Sequence, residues 1–173
     1  MSDKRPIAFE LNGTPVRVWA FPFQTVLDVL RAEAGATEVK YGCGEGVCGT
    51  CTVLLDGESV NACLLLAPQI EGRRLTTVRG LAPVGGLHPL QDAFLAHGGA
   101  QCGFCTPGML LAATELAGLA TQAGEPLDRD AIRRGLSGNL CRCTGYAKIL
   151  DAVQAWVAGG AAGARGQGAT RDG

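Results

Sequence analysis

An excess of charge of either sign is the first thing this sequence lacks. Its 173 residues carry 15 Lys and Arg against 16 Asp and Glu, a formal net charge of −1. Such balance gives no electrostatic footing for nucleic acid or an anionic membrane surface. Long apolar runs are missing too. Runs such as Cys63–Pro68 are short, whereas a membrane-spanning helix needs about 20 residues. Met1–Pro6 leads into no apolar stretch of the signal-peptide kind. The expectation is a chain that is not exported and works in the cytoplasm. Histidines number only 2. His88 precedes Pro89 and His97 precedes Gly98-Gly99, surface or helix-end positions outside any ligand pattern. No nucleophile–base motif is present, so no catalytic residue is expected.

What the chain does have is 8 cysteines and 26 glycines, on a background 47% hydrophobic. That is enough for a real core, in one domain or two small ones. In a reducing compartment the cysteines are not expected to form a disulfide framework. Metal is their usual use there.

They divide evenly. Cys43, Cys48, Cys51 and Cys63 lie in the first half; Cys102, Cys105, Cys141 and Cys143 lie in the second. The stretch between holds Pro83, Gly85, Gly86 and Pro89, punctuation that marks a boundary. We expect one domain over 1–82, another over 83–158, and a disordered tail over 159–173. The tail's Gly/Ala-rich composition offers too little bulky apolar surface to offset ordering entropy.

The first half reads as a small sheet with a helix across it. Ile7–Leu11 and Thr14–Ala20 flank Asn12-Gly13, a type I′ hairpin signal. Thr25 and Asp28 are spaced as a capping box for a helix that Gly35 stops. Thr52–Leu55 and Ser59–Leu66 flank a second hairpin signal, Asp56-Gly57, and Leu75–Val78 reads as a last strand. The order is that of a small α+β sheet.

The loop between helix and strand runs Gly42-Cys43-Gly44-Glu45-Gly46-Val47-Cys48-Gly49-Thr50-Cys51. C-x4-C-x2-C with a distant Cys63 is the plant-type [2Fe–2S] pattern. Gly42, Gly44, Gly46 and Gly49 allow backbone to wrap an inorganic cluster closely and turn amide N–H groups toward its sulfurs. Zinc takes four thiolates as well, but usually from two short knuckles. Cys63 by itself also reads as an ordinary buried strand cysteine.

The second half reads as helices. Pro89–His97 is one; Thr106 and Pro107 suggest the cap and first residue of another running to Gly124; Asp128 caps a third; Thr144 is placed to cap a fourth, ending near Ala158. Each cysteine pair precedes a helix, where backbone N–H groups favour an anionic ligand set. Four helices with a metal site at one end make a compact bundle. The C-x2-C…C-x-C spacing leaves zinc open here. A neighbouring plant-type loop favours a second redox centre.

Gly42–Val53, His88-Pro89-Leu90-Gln91, Gln101–Gly108 and Asn139-Leu140-Cys141-Arg142-Cys143-Thr144-Gly145-Tyr146 resemble the iron–sulfur subunit of molybdenum hydroxylases, the xanthine oxidase, aldehyde oxidoreductase and carbon monoxide dehydrogenase family. The likeness covers about residues 5–157. It implies a plant-ferredoxin-like (β-grasp) domain followed by an all-α four-helix domain, each with one [2Fe–2S] cluster. It further implies that the Cys102/Cys105/Cys141/Cys143 cluster lies nearer the molybdenum and the Cys43/Cys48/Cys51/Cys63 cluster nearer the flavin. By the same resemblance Gln101 and Cys143 touch the pterin of a molybdopterin cytosine dinucleotide. From its residue type alone Gln101 is an ordinary polar loop residue. Thr50 departs from the alanine often found in the family, and Val39-Lys40-Tyr41 from its commonest approach to the loop; neither is a ligand position.

The implied function is an oxidoreductase subunit that relays single electrons from a molybdenum-binding large subunit to an FAD-binding medium subunit. The assembly would be a heterotrimer or a dimer of heterotrimers. A flavin-free complex feeding a cytochrome, a free-standing ferredoxin and a zinc-binding interaction module are the alternatives. The substrate pocket would belong to the large subunit.

Overall fold

The computed structural model describes residues 3–160. The tail expected over 159–173 lies outside the described residues except for Gly159 and Gly160. Strands β1 (Arg5–Leu11) and β2 (Thr14–Ala20) pair antiparallel about Asn12-Gly13, whose φ angles of 53° and 80° are those a type I′ turn requires. Ile7, Phe9, Val18 and Ala20 alternate into the core. Helix α1 (Val26–Asp28) opens on the expected capping box: Asp28 N donates to Thr25 Oγ1 (3.1 Å) and Thr25 N to the Asp28 carboxylate (3.3 Å). It continues as a π-helical turn over Val29–Glu33, closed by Ala34 N donating to Val29 O (3.0 Å). Val26, Leu27, Val29 and Leu30 are all fully buried there.

Strands β3 (Thr52–Leu55), β4 (Glu58–Asn61) and β5 (Arg74–Thr76) complete a five-stranded sheet of order β2-β1-β5-β3-β4, in which only β1 and β5 run parallel. Two expectations are corrected here. The return strand expected to reach Leu66 stops at Asn61, because Ala62 O and Leu65 O accept from Leu27 N (2.9 Å) and Val26 N (2.7 Å). The orphan amides at the start of α1 thus take the chain out of the sheet. The last strand ends at Thr76, and Val78–Leu81 is a short helix, α2. Thr77 is fully buried at this corner: its N–H donates to Asn12 Oδ1 (2.8 Å) and its hydroxyl to Glu38 Oε1 (2.8 Å).

A separate helical core follows, built by α3 (Pro89–Ala96), α4 (Thr106–Ala123), α5 (Arg129–Gly135) and α6 (Ala147–Ala158). Phe94, Met109, Ile132, Leu136, Ile149 and Val153 fill it, and Val78 and Leu81 pack against it. The chain is therefore α+β, a ferredoxin-like sheet joined to a helical bundle. Asp128 caps α5 through Ala131 N (2.7 Å), and Gly124 ends α4 at φ 67°. The two threonine caps do not form. Cys105 is already helical and precedes α4, which puts Thr106 inside the first turn with a buried, unpartnered hydroxyl. Tyr146, not Thr144, stands before α6.

His88 takes the helix-end position read for it, and is buried there. It is 7% exposed, its Nδ1 accepts from Leu90 N (3.2 Å) to cap α3, and its ring lies 5.7 Å from that of Trp156. Burial lowers its pKa and keeps the ring neutral, as an accepting Nδ1 requires. His97 ends α3 as read. Among the described residues, no helix is long and apolar enough to cross a membrane.

Candidate cluster-binding site

The cysteines come together in pairs. In the first set, the Cys43 thiol neighbours Cys48, and Cys51 neighbours Cys63. In the second, Cys143 Sγ and Cys102 Sγ lie 3.5 Å apart, and Cys105 neighbours Cys141. Each set of four is thus two pairs. Among the described residues, no three His, Cys, Asp or Glu side chains are drawn together tightly enough to hold a single ion. Two pairs facing one another suit two irons, each taking two soft thiolates, with inorganic sulfide between. The four soft thiol donors in each set fit a [2Fe–2S] group.

The glycines of the first loop have two jobs. Gly44, Gly46 and Gly49 hold φ of 74°, 77° and 64°. Gly42 has no such backbone demand, but a Cβ there would stand 2.6 Å from Thr50 Cγ2 and 2.8 Å from Cys48 Sγ. Several loop amides reach the Cys43 sulfur, that of Cys48 among them. Glu45 N donates to Cys43 Sγ (3.3 Å), and the Val47 N–H faces the same sulfur.

These amides, Glu45 first and then the Cys48 thiol, hold Cys43 down to about 6. Burial pushes Cys51 and Cys105 up to about 12. At Cys141 burial acts upward, but the Thr144 hydroxyl and nearby amides prevail and lower the pKa. The Phe104 amide lowers Cys102, while the Cys102 thiol raises Cys143. A metal-free chain at neutral pH therefore carries thiolate at Cys43 and protonated thiols at Cys51 and Cys105. Iron bound at these thiols would have to displace those protons. The sign follows: loading strengthens as pH rises and releases protons as it proceeds. Reconstitution with iron and sulfide in weakly buffered solution, followed by a pH indicator, should show acidification and more complete loading at pH 8 than at pH 6.

The two sets adjoin. A cavity of about 240 Å³ is lined by Cys43 and Cys48 from one, and Cys102, Cys105, Cys141 and Cys143 from the other. The joint between them is hydrogen-bonded. Leu140 N donates to Cys48 O (2.9 Å), the Thr50 hydroxyl to Phe104 O (3.0 Å), and Asn139 Nδ2 to Gly49 O (2.8 Å) and Thr52 Oγ1 (3.1 Å). Asn139 and Thr50 are buried. Sequence reasoning gave neither a role. Thr50 stood out only as a departure from alanine, and no local pattern marks an amide that bridges positions ninety residues apart. At the far side Gln101, Cys102 and Cys143 are exposed on one short stretch of surface.

Residues 9–79 match the family model of a 2Fe-2S iron-sulfur cluster binding domain, and residues 77–154 that of a [2Fe-2S] binding domain. The chain is 45% identical over 152 residues to the xanthine dehydrogenase iron-sulfur-binding subunit of Escherichia coli O157:H7, covering 88% of this chain and 94% of that one. This chain belongs to the iron–sulfur subunits of the molybdenum hydroxylases. Its fold agrees with that seen in two solved structures. Quinoline 2-oxidoreductase from Pseudomonas putida 86 superposes with a TM-score of 0.85 at 44% identity, over 93% of this chain and 97% of that one. The aldehyde oxidoreductase from Desulfovibrio desulfuricans ATCC 27774 gives 0.81 at 39%, over 93% of this chain but 18% of that much longer one. As a member of these iron–sulfur subunits, the chain is an electron-transfer component of an oxidoreductase and carries two [2Fe–2S] clusters.

Proposed function

We propose that this subunit passes single electrons between a molybdenum–pterin centre on a larger partner and FAD on a second partner. Cys43, Cys48, Cys51 and Cys63 hold the flavin-side cluster. Cys102, Cys105, Cys141 and Cys143 hold the molybdenum-side one, with Gln101 and Cys143 against the pterin. The observation that carries this reading is the pairing of eight thiols into two adjoining sets, one of which opens at the surface through Cys102 and Cys143 beside Gln101. When bound, each group takes up and returns one electron at a time. The chain's own residues do the rest: the glycine loop aims amides at Cys43, burial excludes water from Cys51 and Cys63, and the Asn139 joint fixes one loop against the other.

The proposed boundary between the two units falls at residues 82–83, in the stretch that holds Pro83, Gly85 and Gly86. A cytoplasmic heterotrimer, or a dimer of heterotrimers, is the proposed assembly. The substrate is not written in this chain, since the relatives named above, at 39–45% identity, carry names for xanthine, quinoline and aldehyde chemistry.

Co-purification tests the reading. A tagged chain should bring down a molybdenum subunit and a flavoprotein, hold iron and acid-labile sulfide in equal amounts, and show two distinct [2Fe–2S] EPR signals when reduced. Zinc without sulfide, or a single signal, would overturn it. A cytochrome in place of the flavoprotein would move the second partner only.

A further inference from the structure

We propose that the Thr144 hydroxyl donates a hydrogen bond to Cys141 Sγ and thereby raises the reduction potential of the molybdenum-side cluster relative to the other. The inference rests on the assignment of Cys102, Cys105, Cys141 and Cys143 to that cluster.

Thr144 Oγ1 lies 3.1 Å from Cys141 Sγ. The surroundings decide which atom donates. Tyr146 N donates to Thr144 Oγ1 (3.1 Å), which occupies a lone pair of that oxygen and leaves its proton free to turn to sulfur. A ligating cysteine is a thiolate with no proton to give. The bond therefore runs from oxygen to sulfur.

The surrounding loop imposes this contact. Tyr146 holds φ 67°, one of three non-glycine residues in that region among those described. The turn lets one residue tie the loop at two levels. Its N–H reaches Thr144 Oγ1. Its phenol accepts from Cys141 N (3.0 Å) and donates to Asn139 O (3.0 Å). With Cys141 N already engaged, and Asn139 anchored on Gly49 O across the joint, neither end of the loop is free to carry Thr144 away from the sulfur. A left-handed backbone at a tyrosine persists only where surrounding contacts over-determine it, and here they do. This is a second layer of bonding that orients a first-layer ligand.

The direction of the effect follows from charge. One electron arrives, no bond is made or broken, and the hydroxyl keeps its proton. The added negative charge is shared by the sulfurs, so an O–H donor stabilises the reduced form more than the oxidised one. The first cysteine loop meets its sulfur differently: Glu45 N, a backbone donor, reaches Cys43. A side-chain change at Thr144 therefore moves one centre and leaves the other alone.

The experiment is an EPR-monitored redox titration of the intact complex carrying Thr144→Val, Thr144→Ala or Thr144→Ser. Valine keeps the shape and deletes the donor; alanine deletes it without bulk; serine keeps it. Val and Ala should lower the reduced-to-oxidised ratio of the molybdenum-side cluster at fixed potential about tenfold, a shift of about −59 mV for a one-electron couple. Ser should stay close to the unsubstituted complex, and the flavin-side midpoint should not move. An unmoved molybdenum-side midpoint in Val and Ala overturns the proposal. So does a Ser variant displaced as far as Val, or loss of the second signal in both Val and Ala, since each marks a structural role. If the unsubstituted complex itself shows no second signal, the cysteine assignment fails instead.

Discussion

Gly49→Ala should destabilise the subunit by about 2–5 kcal/mol and loosen the joint between its two cysteine loops. Two independent terms combine. Gly49 sits at φ 64°, where a Cβ costs roughly 1–2 kcal/mol. That Cβ would also run into Gly138 O, 2.7 Å from Asn139 Nδ2 and 2.9 Å from Asn139 Cα. Overpacking against a buried backbone adds about 1–3 kcal/mol. The opposing wall is no softer, because Gly108 at the start of α4 already lies against Gly49 O and Thr50 O. The sum is a large part of the roughly 5–15 kcal/mol that holds a domain folded. Thermal unfolding of the purified complex, followed by the visible absorbance of its clusters, should show an earlier loss of colour. Gly118→Ala is the matching control. Gly118 lies inside α4 with nothing within 4 Å of an added Cβ, so the change should be neutral or stabilising by up to about 1 kcal/mol. Equal effects at the two positions would show that the joint is not a constrained contact.

That joint is also where the sequence was least informative. Local rules served well wherever the structure is local. Asn12-Gly13 and Asp56-Gly57 make their turns with positive φ at both residues, Thr25 with Asp28 and Asp128 alone make their caps, and Gly124 stops α4. The cysteine spacing likewise announced two sets of four, because the first set is one short loop plus a distant member and the second is two short loops.

Failures came where the structure departs from the local preference. Ser59–Leu66 has strand-like composition, but the N–H groups of Val26 and Leu27 take its later carbonyls. Thr106 has the identity of a cap, yet the helix begins at that residue, and its hydroxyl is left without a partner. Thr144 also has cap identity, but its oxygen is held between Tyr146 N and Cys141 Sγ, three residues short of α6. Gly108 reads as one more helix residue until Gly49 O is seen against it. None of these has a period or a spacing. The Ser59–Leu66 carbonyls and Gly108 make contacts between chain segments that only the packed fold brings together.

Replacing one cysteine in each set should separate the two centres completely. Cys63→Ser should abolish the flavin-side signal and leave the other, and Cys141→Ser should do the reverse, each variant retaining about half of the iron. Iron–sulfur clusters select soft thiolate donors, and a serine hydroxyl is a hard oxygen that remains protonated at neutral pH. Cys63 is 7% exposed and stands against Cys51, so its loss leaves one iron with a single buried sulfur and no water to replace the other. Cys141 stands in the same relation to Cys105. Independence is expected because the sets are anchored in different cores. Cys51 and Cys63 belong to the sheet cluster with Val53 and Leu55, whereas Cys105 and Cys141 pack on the helical cluster with Met109 and Ile149. The measurement is iron and sulfide content together with EPR of each reduced variant. Two signals surviving Cys63→Ser would make that residue an ordinary buried cysteine. Loss of both signals in Cys141→Ser would mean that the Leu140–Cys48 and Asn139–Gly49 bonds do more than align two separate centres: one loop would need the other, already filled, in order to form.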